Sequence, residues 1–170
     1  MKFDDIIKNR YSVRSYSSLP VEEEKITAVL NAGRLAPTAK NSQPQMIYVL
    51  KSSSAQEKIK ELTSCHFNAP VIMIMCGKKE RECIVSTSGR SFMETDVTIV
   101  QTHMMLKATE LGLGSCWVGR INPPDVVKAY NLPENIVPYG LLVMGYPSED
   151  SVPNERHYSR LSLTEFVEEL

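Results

Sequence analysis

Val71-Ile72-Met73-Ile74-Met75-Cys76 is the longest apolar run in the sequence, and Pro70 opens it. Six residues are far too few to cross a bilayer. A half-buried strand would alternate apolar with polar residues, and this run does not. It therefore reads as a strand buried on both faces, at the centre of a sheet.

Outward from this run the pattern alternates between helix and strand. Towards the amino terminus, Ser54–Leu62 reads as a surface helix and Met46–Leu50 as a β-rich strand. Thr38–Pro44 is a polar loop. Before it, Pro20 and the acids Glu22, Glu23 and Glu24 open a helix that carries Ile26, Val29, Leu30 and Arg34 and ends by Pro37. Phe3, Ile6 and Ile7 predict a first short helix over residues 3–9. Towards the carboxyl terminus, residues 77–91 are polar and irregular. Phe92–Leu111 is a long helix with Val97, Val100, Met104 and Ala108 at steps of three or four. Gly112 ends it. Ser115–Val118 is a short strand, Pro123 and Pro124 start a helix through Tyr130, and Val137–Met144 is the last strand. This alternation predicts a layered α+β or α/β sandwich on one central sheet, as a single domain over residues 1–170. Residues 146–170 form a tail with Arg156, Arg160, Leu161 and Leu163, expected to pack against a second copy of the chain.

Composition narrows the function. A net charge of −1 argues against a dedicated nucleic-acid binder. The start, Met1-Lys2-Phe3-Asp4-Asp5, lacks the apolar core of a signal peptide. Cys65, Cys76, Cys83 and Cys116 form no C-x-x-C pair, and no Cys/His cluster has zinc spacing. No metal, no membrane and no nucleic acid are expected, and a reducing cytoplasm is the expected setting. Cys76 and Cys116 read as buried thiols.

Four stretches carry chemistry, each with a plain alternative. Arg10-Tyr11-Ser12-Val13-Arg14 sets two guanidinium forks and a hydroxyl on one side of an extended segment, a face for one anion, or else a solvated basic turn. Ala36-Pro37-Thr38-Ala39-Lys40-Asn41-Ser42-Gln43-Pro44 offers a hydroxyl and two carboxamides, suited to a ring edge of alternating N–H and C=O groups, or else a loop of Asx and ST turns. Gly112-Leu113-Gly114-Ser115-Cys116-Trp117-Val118-Gly119 lets backbone approach a ligand at Gly119, or else is a helix cap followed by a core Trp. Arg156-His157-Tyr158-Ser159-Arg160 is a solvated tail or a return to the anion gripped by Arg10.

In order, R-x-S-x-R, A-P-T-A-x-N-x-Q-P, G-L-G-x-x-W-V-G, G-Y-P and a late R-L-x-L span nearly the whole chain. In this order and spacing the sequence resembles the flavin-dependent nitroreductase family. The resemblance implies a three-layer α+β sandwich whose central, mainly antiparallel sheet is flanked by helices. It implies a homodimer with FMN in clefts at the interface, NADH or NADPH as electron donor, and a small-molecule acceptor such as a nitroaromatic or quinone, reduced by a ping-pong mechanism. By this similarity Arg10, with Tyr11 beside it, contacts the FMN phosphate and Ser12 the phosphate or ribityl chain. Arg14 lies near the N1–C2=O2 edge and tunes the flavin. Pro37, Thr38, Asn41, Gln43 and Pro44 reach the flavin from the other protomer. Val118 and Gly119, next to Trp117, face N5 and O4, and Arg160 is the late phosphate-binding arginine. No side chain need act as a nucleophile, because the flavin carries the chemistry. One departure is Tyr158, where many relatives have a cation. Two other readings remain: an FMN store or redox sensor with little turnover, and a cofactor-free interaction protein on the same fold.

Overall fold

The apolar run is the spine of the sheet. In the computed structural model, which describes residues 1–170, it lies in β2 (Val71–Lys78), and Val71 to Gly77 are all buried. β1 (Gln45–Val49) pairs with one edge of β2 and β4 (Ile136–Gly145) with the other, while β3 (Gly114–Val118) pairs with β4. The order is β1-β2-β4-β3 and every pair is antiparallel. Between Met75 and Cys76 the register shifts, so that Gly140 and then Pro138 face β2. A proline is tolerated at such a bulge because the regular ladder is already interrupted.

Because side chains alternate along a strand, β2 feeds two cores. Val71, Met73 and Met75 join Leu142 and Met144 under α2 (Glu23–Arg34) and α4 (Met93–Glu110), which contribute Ile26, Val29, Val97, Val100, Met104 and Ala108. Ile72, Ile74 and Cys76 face the other way with Leu141 and Val143, under Ile59 of α3 (Ser53–Leu62) and Val126 of α5 (Pro123–Tyr130). The result is the expected α+β sandwich of helices, sheet and helices. α1 (Phe3–Asn9) leans on α4.

Two segments differ from the sequence reading. β2 runs past Cys76 to Lys78, whose N–H donates to Pro44 O at 2.7 Å. Residues 79–91, polar by composition, are tied down by a turn at Lys79–Arg81, a bridge between Ile84 and Ser91, and a bond from Phe92 N to Cys83 O, with Cys83 buried. The tail ends in α6 (Leu163–Phe166), capped by Ser162, with Leu163 and Phe166 each 75% exposed. No helix is long and apolar enough to cross a membrane.

Burial pushes the Cys76 thiol up from about 9 to about 12. Below pH 9 the group is protonated folded or unfolded and stability does not depend on it. Above pH 9 only the unfolded chain ionises it, so stability falls by about 1.4 kcal/mol per pH unit through this group until the folded value is reached. Cys76→Ala is expected to flatten the fall in unfolding free energy between pH 9.5 and 11 by up to about that slope. Urea titrations across that range measure it, and an unchanged slope refutes the assignment to Cys76.

Candidate functional site

Val13 decides where the amino-terminal arginines point. Its side chain is 1% exposed, and its N–H donates to Ser115 O at 3.0 Å, beside a parallel bridge between Ser12 and Ser115 of β3. The space it fills exists because residue 114 is glycine: a Cβ there would stand 2.5 Å from Val13 Cγ2. With Val13 turned inward, the alternation of an extended segment sends Ser12 and Arg14 outward. Tyr16 pins the far end, its hydroxyl donating to Val13 O at 2.8 Å and Val143 O at 3.3 Å; burial holds that phenol well above its usual pKa. Tyr11 fastens the near end to the tail by donating to Ser151 O at 3.0 Å.

The tail then crosses the same face. Arg10, Tyr11, Ser12 and Arg14 line one cavity of about 740 Å³ with Asn154, Glu155, Arg156, His157 and Arg160. Four guanidinium groups thus share a cavity that holds one carboxylate, and none of the four forms a salt bridge. Arg14 Nη1 donates to Ser12 O at 3.2 Å; Arg160 Nη1 donates to Arg156 O at 3.2 Å and Ser159 O at 2.6 Å. Each guanidinium has five N–H donors, so most remain free to bind an anion. The His157 ring packs edge-on to Tyr11 at 6.3 Å and to Tyr158 at 5.0 Å between centroids. Beneath this face lies Cys116. Burial pushes its thiol up, against the opposing pull of Arg14, so it stays a packed thiol.

The amide loop is built elsewhere. Its backbone has positive φ at three non-glycine residues, Lys40 (52°), Asn41 (54°) and Gln43 (49°), a conformation that costs of order 1 kcal/mol per residue. Gln43 N donates to Thr38 Oγ1 at 3.1 Å and Ala39 N to Asp96 Oδ1 at 2.8 Å, which holds the turn. Pro37, Asn41 and Gln43 are exposed, Thr38 is half-buried, and Pro44 is buried where the loop enters β1. None of these five residues lines the arginine cavity. The cavity sits on β3 and the loop leads into β1, at opposite edges of the sheet.

Trp117 removes the plain alternative for its stretch. It is 40% exposed and so not a core residue, while Val118 beside it is buried. At Gly119 a Cβ would lie 2.7 Å from the Trp117 ring, so the close packing of that ring also requires glycine here. Neither Trp117, Val118 nor Gly119 lines the arginine cavity.

Thus Arg10, Tyr11, Ser12, Arg14 and Arg160 meet in one place, as the spacing of the two arginine stretches allowed. Asn154 and His157 were not singled out, although His157 stood inside a motif that was. Asp96 was also missed. Its signal was an acid on the apolar stripe of Met93, Val97 and Val100 in α4.

Comparison with known proteins gives the site its context. The profile of the nitroreductase family matches residues 7–73 and 66–146. A Methanothermobacter thermautotrophicus protein with the provisional name NADH dehydrogenase/NAD(P)H nitroreductase is 31% identical over 153 residues, 86% of this chain and 78% of that one. A solved nitroreductase family protein from Clostridium difficile is 38% identical, covers 99% of this chain and 98% of its own, and superposes with a TM-score of 0.92. A protein from Exiguobacterium sibiricum solved in complex with FMN shares the fold at 18% identity, with a TM-score of 0.87 over 100% of this chain and 98% of that one.

The contact that aims the arginines is open to test. Gly114→Ala forces a methyl group against Val13 and is expected to cost about 1–3 kcal/mol of stability. Urea unfolding measures this, and a wild-type midpoint would mean that the segment carrying Ser12 and Arg14 shifts freely.

Proposed function

The chain belongs to the nitroreductase family of NAD(P)H-dependent flavin oxidoreductases, and from that premise we propose that its four-arginine cavity holds the phosphate of FMN. One observation carries this reading: arginines from both ends of the chain converge without carboxylate partners. A phosphate monoester is a dianion whose oxygens match the fork of a guanidinium, so it supplies the charge that the cavity lacks. The donor set therefore fits the cofactor. Arg10 and Arg160 grip the phosphate, with Ser12 adding a hydroxyl. Tyr158 is 72% exposed and outside the cavity lining; Arg156 supplies the cation that this position lacks.

FMN, when bound, supplies two-electron chemistry, accepting hydride from NADH or NADPH and delivering electrons to an acceptor. The chain's own residues position and polarise. Arg14, at the rim, sets a fixed cation beside the ring edge that gains negative charge. Thr38, Asn41 and Gln43 hydrogen-bond the ring, and Trp117 with Val118 and Gly119 borders it. These groups lie outside the arginine cavity, and Leu161, Leu163 and Phe166 are exposed on the tail. Both facts favour a homodimer in which each flavin is held by one copy's arginines and the other copy's amide loop. Nitroaromatics and quinones are the proposed acceptors, by a ping-pong mechanism in which donor and acceptor use the same site in turn.

Purified protein is expected to be yellow, or to bind added FMN, and to oxidise NADH or NADPH with a quinone or nitroaromatic acceptor. Parallel double-reciprocal plots would support the ping-pong order, and intersecting ones would exclude it. Arg160→Ala is expected to weaken FMN by about 1.5–3 kcal/mol, the worth of a charge-assisted hydrogen bond. Fluorescence titration reads this, and unchanged affinity removes Arg160 from the phosphate site.

A further inference from the structure

Asp96 is the one fully buried carboxylate of the chain, with 1% of its surface exposed. It stands on the apolar stripe of α4, where a leucine or valine would continue the pattern. No lysine, arginine or histidine pairs with it. A carboxylate removed from water in this way is costly unless its oxygens are hydrogen-bonded. The first turn of α4 helps, since negative charge is favoured at a helix N-terminus. The remaining bonds go to one segment only: Oδ1 accepts from Ala39 N at 2.8 Å, and Oδ2 from Ser42 Oγ at 3.5 Å.

That segment is the strained amide loop. Positive φ at Lys40, Asn41 and Gln43 persists only when the surroundings over-determine it. Two bonds from Ala39 and Ser42 to a side chain fixed in the core are such a constraint. They brace the stretch that leaves Asn41 and Gln43 exposed, where one Gln43 amide N–H donates to Asn41 O at 3.4 Å and the carboxamide oxygens of both residues point to no protein donor.

We propose, resting on the FMN reading above, that Asp96 is a positioning residue for the flavin. From the core it clamps the Thr38–Gln43 loop in the shape that offers Asn41 and Gln43 to the ring. It touches no ligand and acts through the loop.

The test is FMN affinity by fluorescence titration of the apo-protein, with amide hydrogen exchange at Ala39 as a second readout. Asp96→Ala is expected to weaken FMN at least about tenfold and to speed exchange at Ala39, because a loop that must be ordered on binding loses affinity. Asp96→Asn keeps an oxygen for Ala39 and gains an N–H for Ser42, so it is expected to stay within about threefold of wild type. Ala39→Pro deletes the same bond from the surface and reports even if Asp96→Ala fails to fold. Thr38 already has the extended backbone (φ −134°, ψ 157°) that precedes a proline. Its expected loss is at least about fivefold. A folded Asp96→Ala or Ala39→Pro variant with wild-type FMN affinity overturns the positioning role and leaves the FMN reading standing. A wild-type protein that takes up no FMN overturns both.

Discussion

The contact between Val13 and Gly114 is the constraint from which the arginine face follows. β3 is an edge strand, and an uncovered edge invites pairing with another chain. The amino-terminal segment covers it through the Ser12–Ser115 bridge and the bond from Val13 N to Ser115 O. Only a residue without a Cβ at 114 lets Val13 come so close. Once Val13 is buried, backbone alternation leaves Ser12 and Arg14 no choice but the outer face. One packing contact thus both protects the sheet and aims two of the groups that define the cavity.

That cavity is electrostatically unfinished in the free chain. Like charges gathered in one cavity repel, less so where water screens them. Gathering four guanidinium groups with one glutamate opposes folding, and an anion reverses the sign of that contribution. Binding and stability are then linked, since a ligand that prefers the folded chain stabilises it. The rigid parts of the site, Val13 on β3 and Asp96 on α4, stand in the core. The charged parts lie on segments that a ligand can complete.

Periodicity made the core legible. The unbroken run of β2, the stripe of α4 and the prolines of α5 each name their element without help from the rest of the chain. The alternation in Arg10–Arg14 is equally local, and in the structure Val13 is buried while Arg14 is exposed. What stayed hidden depends on contacts distant in sequence. Residues 79–91 look like loose polar chain because the bond that ties Phe92 to Cys83 leaves no pattern in composition. Whether Trp117 lay in the core or at a ligand was left open by its sequence, and β3 turns it to a half-exposed face beside Gly119. Asp96 carries no sequence signal of its bonds to Ala39 and Ser42, which lie more than fifty positions away.

The two sheet edges explain why the proposed flavin site calls for two chains. The arginines are anchored at β3 and the amide loop leads into β1, with β4 and β2 between them. Three interstrand spacings of about 4.8 Å separate these edges by about 14 Å. Neither part can migrate to the other. Moving the arginine segment would expose Val13 and uncover β3, and moving the loop would strand Asp96 without its hydrogen bonds. In the proposed homodimer, a ring beside Arg14 takes its amides from the second copy, which leaves Val13 against β3 and Asp96 under its loop in each chain. Leu161, Leu163 and Phe166, exposed on the tail, are the apolar surface that the proposed second copy would cover.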